Sequence, residues 1–277
     1  MEPKQRYFTA LTIAGSDSGG GAGIQADLKT FAALGIFGTS VITAITAQNT
    51  HEVRSVEVLS PQIIRTQLQT VLSDITIDAV KTGMLPNAEI IEVVAQTIDQ
   101  YKLPNLVVDP VLVSTSGSQL TSDKAISAFR SLLYKRATLI TPNIPEAARL
   151  SGIEINNEND IHRAADVLLA EGCCALLIKG GHRAGKQSTD ILFTPNQSPV
   201  SFSVPFVKSN NLHGTGCTYA SAITACLAQG YELIKSVEMA KSYITAAIEA
   251  GKDITTGQGN GPLNHFFSPQ PLKTKKI

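Results

Sequence analysis

Residues 211–218, Asn-Leu-His-Gly-Thr-Gly-Cys-Thr, concentrate more chemistry than any other stretch of this chain. Gly214 and Gly216 carry no Cβ, so the backbone can approach a ligand closely and aim its amides at it. A run of small and apolar residues, 219–227, follows and reads as a buried helix. A glycine-rich turn feeding a helix N-terminus presents unpaired N–H groups and a positive dipole end, which together make an anion site. Cys217, placed at that helix start, is expected to be biased toward the thiolate. An anion hole beside a base suits transfer of a phosphoryl group to an alcohol. The same residues would also serve as a tight turn before a core helix with a buried cysteine. A third reading pairs Cys217 as nucleophile with His213, four residues earlier, as its base.

Other residues could complete a phosphoryl-transfer site. Asp109 and Glu146 follow two apolar runs and are stiffened by Pro110, Pro142 and Pro145. Two carboxylates suit a hydrated magnesium ion, which takes one or two of them together with substrate phosphates. Glu146 would equally serve as a first-turn carboxylate on a helix dipole. Lys179, at the end of its own strand, is a candidate phosphate contact. Gln48 offers an acceptor and a donor side by side, a match for a ring nitrogen next to an exocyclic amine. Met84 could pack on a flat ring.

Two near misses narrow the chemistry. Residues 15–27 form a glycine-rich run between a strand and a helix. A dinucleotide site would need an acidic residue about 20 positions on, and the second strand ends in Gln48 and Asn49 instead. The loop is therefore expected to be flexible and to close over a small ligand. Residues 180–187 approach a phosphate-binding loop, but Gln187 stands where a Ser or Thr should hold magnesium, and a strand follows rather than a helix.

These residues need a scaffold, and the hydrophobic pattern supplies one. Strands are expected at 8–14, 39–46, 79–82, 106–108, 138–141 and 175–179, with a hairpin at 189–204. Helices are expected at 24–34, 62–74, 88–101, 123–135, 145–152, 160–171, 218–229 and 234–250. Apolar strands separated by helices indicate a mostly parallel sheet covered on both faces. Ligands in such sheets bind beyond the carboxyl ends of the strands, where residues 15–17, 48–49, 83–84, 109, 143 and 180–182 fall. No repeat or composition shift marks a second domain, so residues 1–277 read as one domain. The tail, 268–277, is expected to fray.

Bulk composition excludes several classes. Lys plus Arg and Asp plus Glu both total 23, so no basic field favours nucleic acid or an anionic membrane. Four cysteines without metal spacing do not form a disulfide framework. Residues 1–6 are polar and no run of 18 apolar residues occurs. A cytoplasmic protein is expected.

Taken together, the motifs resemble the hydroxymethylpyrimidine/phosphomethylpyrimidine kinases of thiamine biosynthesis, within the ribokinase-like superfamily. The anchors are residues 14–17, 20–29, 39–50, 81–84, 108–111, 141–147, 179–182, 213–217 and 261–266. Relatives in the wider superfamily usually carry aspartate as the base where Cys217 stands. Residues 18–19, Ser-Gly, depart from the family's frequent Pro-Ser. The resemblance implies a three-layer α/β/α fold and ATP-dependent phosphorylation of 4-amino-5-hydroxymethyl-2-methylpyrimidine and of its monophosphate. It implies Cys217 as base and Gly214, Thr215 and Gly216 as the anion hole. Gln48, Asp27, Met84, Gly15 and Val111 would surround the pyrimidine. Lys179, Glu146, Asn143 and Lys241 would face the nucleotide, and Asp109 and Glu146 would support Mg2+. A homodimer is also implied, with no nucleic-acid or membrane partner. A pyridoxine-type kinase of the same fold is the nearest alternative.

Overall fold

The computed structural model describes residues 4–112, 122–180 and 186–277. A nine-stranded sheet runs in the order β10-β9-β8-β7-β6-β5-β2-β3-β4. Six central strands are parallel: β2 (Thr9–Asp17), β3 (Phe37–Gln48), β5 (Ala79–Thr82), β6 (Leu106–Val108), β7 (Leu139–Ile140) and β8 (Leu176–Ile178). The antiparallel strands β4 (Val53–Val58), β9 (Gln187–Phe193) and β10 (Val200–Pro205) complete the edges.

Successive residues of the inner strands enter different cores. Leu106 and Val108 pack with one helical layer. Val107 between them packs with the other. A strand buried on both faces carries apolar residues at successive positions, which explains the long apolar runs. One face carries α2 (Pro61–Leu72), α3 (Ala88–Tyr101), α4 (Asp123–Ala128), α5 (Ile144–Ser151) and α6 (Glu158–Ala170). The opposite face carries α1 (Gly23–Ala33), α7 (Thr215–Ala228) and α8 (Leu233–Gly251).

Three expectations need correction. The helix expected at 123–135 ends at Ala128 and continues as a π turn, Phe129–Leu133, and a 3-10 turn, Tyr134–Arg136. Strand β4 had no counterpart in the sequence reading, because it is an edge strand with little burial and no apolar face to give it away. The tail does not fray. Its strand β11 (Thr274–Lys276) pairs antiparallel with β1 (Gln5–Tyr7). Asp78 fastens both ends, accepting from Arg6 at 2.6 and 2.8 Å and from Lys275 at 2.5 Å. No helix among the described residues is long and apolar enough to cross a membrane.

Candidate active site

A cavity of about 640 Å³ opens at the carboxyl ends of the parallel strands. Gly15, Gln48, Met84, Asp109, Lys179 and Cys217 all line it. At its centre stands the N-terminus of α7. Gly214 caps that helix at φ +84°, and a Cβ there would sit 1.8 Å from the Gly21 carbonyl oxygen. The glycine demand is thus both conformational and steric. Thr218 N–H is the first to close onto the helix, donating to Gly214 O at 2.9 Å. Thr215 N–H turns back to Leu212 O at 3.2 Å. Gly216 and Cys217 precede Thr218, the first helical donor, so their N–H groups are the candidates for an anion hole. Gly216 also borders Lys179 Nζ and Asp109 Oδ2, which a Cβ would approach to 3.5 and 3.7 Å.

Cys217 is half-buried on the cavity wall, but it is not a thiolate in the ligand-free protein. Burial pushes its thiol up to about 11. Nearby Lys81 opposes the shift, Asp27 and Asp109 add to it, and the Gly23 amide opposes it. Desolvation and two carboxylates outweigh the helix-terminus effect that the sequence suggested. His213 does not serve Cys217. Its Nε2 lies 2.8 Å from Asp17 Oδ2 and 3.3 Å from Gln48 Nε2.

Lys179 and the two expected carboxylates gather on one side. Lys179 Nζ donates to Asp109 Oδ1 at 2.8 Å, and Thr141 Oγ1 donates to the same atom at 3.0 Å. Burial works against Asp109 ionising, yet Lys179 and Lys81 hold its pKa below the usual range. Glu146 behaves oppositely. Burial lifts its pKa to about 7; Lys179 pulls the value down and Asp109 pushes it up. Two neighbouring carboxylates with this imbalance fit a divalent cation, which would relieve their repulsion. Among the described residues no group of three or more His, Cys, Asp or Glu forms a metal cluster, so any cation here would draw its other ligands from phosphates and water. Asn143 lines the cavity, but its Oδ1 caps α5 by accepting Glu146 N–H at 2.8 Å while Glu146 Oε2 accepts Asn143 N–H at 2.9 Å. Its side-chain oxygen therefore positions Glu146. Lys241 reaches the cavity and pairs with Asp190 at 2.6 Å, below the ring of Tyr219.

Gln48, Met84, Gly15 and Val111 also line the cavity. Gly15 leaves room for Met84, because a Cβ there would come within 2.8 Å of Met84 Cε and displace that methyl group. Asp27 does not line the cavity. The residue is 0% exposed, and its carboxylate accepts from Lys81 Nζ at 2.9 and 2.9 Å, Thr12 Oγ1 at 2.6 Å and Ser221 Oγ at 2.7 Å. It is the counter-ion of a buried lysine beneath the site, not a ligand contact. The first glycine loop is tied down rather than free to close. Asp17 accepts from the amides of Gly19, Gly21 and Ala22 at 2.8, 3.1 and 2.8 Å. Ser18, in place of the frequent proline, clamps the backbone of Gln48 through bonds of 2.8 and 2.9 Å. Sequence reasoning passed over Lys81, Asp190 and Tyr219, which sit inside apolar runs and look like strand or helix filler. Residues 181–182, expected beyond the carboxyl ends of the strands, lie outside the described residues.

The sequence model of the family described as phosphomethylpyrimidine kinase matches residues 17–264. The chain belongs to the phosphomethylpyrimidine kinase family. It is 44% identical over 271 residues to the hydroxymethylpyrimidine/phosphomethylpyrimidine kinase of Bacillus subtilis, covering 97% of this chain and 99% of that protein. It is 46% identical over 267 residues to the thiamine biosynthesis bifunctional protein ThiED of Geobacter sulfurreducens, covering 96% of this chain but only 54% of that longer protein. Among solved structures, an ADP complex of Bacillus subtilis pyridoxal kinase superposes with a TM-score of 0.87 at 38% identity, covering 94% and 98% of the two chains. One cavity is lined by Gln48 and Met84, by the start of α7, and by Lys179, Asp109 and Glu146.

Proposed function

We propose that this protein transfers the γ-phosphoryl group of ATP to the hydroxymethyl oxygen of 4-amino-5-hydroxymethyl-2-methylpyrimidine, and then phosphorylates the monophosphate. The observation that carries the reading is one cavity lined together by Gln48 and Met84, by Gly216 and Cys217 at the start of α7, and by Lys179, Asp109 and Glu146.

Gln48 would hold the amine and ring nitrogen, fixing the hydroxymethyl arm at the start of α7. The Gly216 and Cys217 amides and Lys179 would stabilise charge on the transferring group. Phosphoryl transfer needs this positioning and charge stabilisation more than covalent chemistry. Asp109 and Glu146 would hold Mg2+, which when bound neutralises phosphate charge. Cys217 would accept the hydroxyl proton. Because burial raises its thiol to about 11, it would do so through a minor thiolate form, and turnover would rise with pH.

The similarity to a pyridoxal kinase supports a second substrate class, since pyridoxal is also a small nitrogen heterocycle with a hydroxymethyl arm. A coupled ATP-consumption assay with hydroxymethylpyrimidine, its monophosphate and pyridoxal separates the readings. The two pyrimidines should support the higher kcat/KM. Turnover confined to pyridoxal would overturn the proposal.

A further inference from the structure

We infer that Thr46, His213 and Asp17 lock the side-chain amide of Gln48 in one orientation, with its nitrogen toward Thr46 and its oxygen toward His213, so that the site accepts a 4-amino ring and rejects a 4-oxo ring. The inference rests on the pyrimidine reading above.

Proton counting carries it. The Asp17 carboxylate accepts from three backbone amides, Gly19 at 2.8 Å, Gly21 at 3.1 Å and Ala22 at 2.8 Å, which favour its ionised form. An ionised carboxylate only accepts. His213 Nε2, 2.8 Å from Asp17 Oδ2, therefore carries a proton and donates it there. The same Nε2 lies 3.3 Å from the amide arm of Gln48 placed as Nε2. A nitrogen in that position would set donor against donor.

The other arm gives the same answer. Thr46 Oγ1 is 3.0 Å from the Ser16 carbonyl oxygen and 3.1 Å from the Gln48 arm placed as Oε1. A hydroxyl has one proton, and a carbonyl oxygen can only accept. That proton goes to Ser16, so the Gln48 arm facing Thr46 must itself donate. Oxygen and nitrogen of a side-chain amide are told apart by their partners rather than by shape. Turning the amide by half a turn satisfies every contact at once. Nε2 then donates to Thr46 Oγ1, and Oε1 shares the His213 proton.

The orientation has a chemical consequence. Each arm has one hydrogen-bonding position left for the cavity. An acceptor faces inward on the His213 side and a donor on the Thr46 side. A 4-aminopyrimidine matches by placing its amine toward His213 and its ring nitrogen toward Thr46. Its hydroxymethyl arm is adjacent to the amine on the side away from that nitrogen. The arm would therefore lie on the His213 side, and His213 leads directly into Gly214, the N-cap of α7. A 4-oxo ring presents a carbonyl and an N–H in the reverse order, so both contacts become repulsive. Thr46 and His213 are thus positioning residues that set substrate choice through Gln48.

The test compares kcat/KM for the 4-amino ring and its 4-oxo analogue. Wild-type enzyme should prefer the amino ring by roughly hundredfold or more, as expected when buried polar groups are left mispaired. Thr46→Val frees the amide to turn, and the preference should fall at least about tenfold, mainly through KM, while unfolding stability is monitored in parallel. Thr46→Ser keeps the hydroxyl and should restore the preference. Equal use of both rings by wild type, or an unchanged preference in a folded Thr46→Val, would overturn the lock. No turnover of the 4-amino ring by wild type would instead overturn the pyrimidine reading on which it rests.

Discussion

Alkylation of Cys217 should be slow and should accelerate with pH across the whole working range. Its thiol is shifted from an ordinary value of 9.0 to about 11. Two units correspond to about a hundredfold less thiolate at pH 8. A more basic thiolate is intrinsically more nucleophilic, with a Brønsted coefficient of about 0.4–0.5, which recovers roughly tenfold. Net, Cys217 should react with iodoacetamide about tenfold more slowly than an unperturbed thiol at pH 8. The assay needs a Cys174→Ser background, because Cys174 is the exposed cysteine while Cys173 and Cys226 are buried. Peptide mass mapping then follows Cys217 from pH 6 to 10. The rate should rise about tenfold per pH unit without levelling, and bound pyrimidine should protect. In the same pH series Cys217→Ala should lower kcat by about 10²–10⁴, the usual general-base contribution. A plateau in alkylation near pH 7 would show a thiolate already formed and refute the burial argument. Full turnover in Cys217→Ala would remove the proton-accepting role.

Other expectations follow from the same geometry. Lys81→Met should cost about 3–5 kcal/mol in urea unfolding, since it strands the fully buried Asp27 carboxylate; a loss below about 1 kcal/mol would mean that this pair is not structural. Gln48→Ala should weaken pyrimidine binding by about 1–3 kcal/mol per lost hydrogen bond, read as a raised KM for the pyrimidine, and leave the KM for ATP unchanged; an unaltered pyrimidine KM would take Gln48 out of the pocket. Glu146, raised to about 7, keeps a proton in the native state that the unfolded chain loses above its ordinary value of 4.5. Its contribution to stability therefore declines as pH rises from there to about 7 and is flat beyond. If Mg–ATP requires the ionised form, binding at pH 7 should release about half a proton, read by calorimetry in buffers of different ionisation enthalpy and lost in Glu146→Gln.

The strand and helix order was legible because the sheet is buried on both faces, leaving unbroken apolar runs that end in polar or glycine residues at the cavity. Motifs at those ends, such as Gln48, Asp109, Lys179 and Gly214, were legible for the same reason. Elements without a burial pattern were not: β4 lies exposed at an edge, and β1 and β11 find each other only across the whole chain length. Charge states were also hidden. The sequence shows Cys217 at a helix start, but not the desolvation and the neighbouring Asp27 and Asp109 that keep its proton on. Asp27 was expected as a ligand contact only through the family resemblance. Only the fold reveals that one turn of α1 carries it beneath the cavity floor, onto Lys81.

The most direct test of the account is the stoichiometry of complete conversion. Purified protein is given limiting hydroxymethylpyrimidine with excess ATP and Mg2+, and ADP and pyrimidine products are quantified at the endpoint. Two successive transfers at one anion hole predict about two ADP per pyrimidine, ending in the pyrimidine diphosphate. ADP formation that does not depend on the pyrimidine, or an unphosphorylated pyrimidine at the endpoint, would contradict the assignment of this cavity as a pyrimidine kinase site.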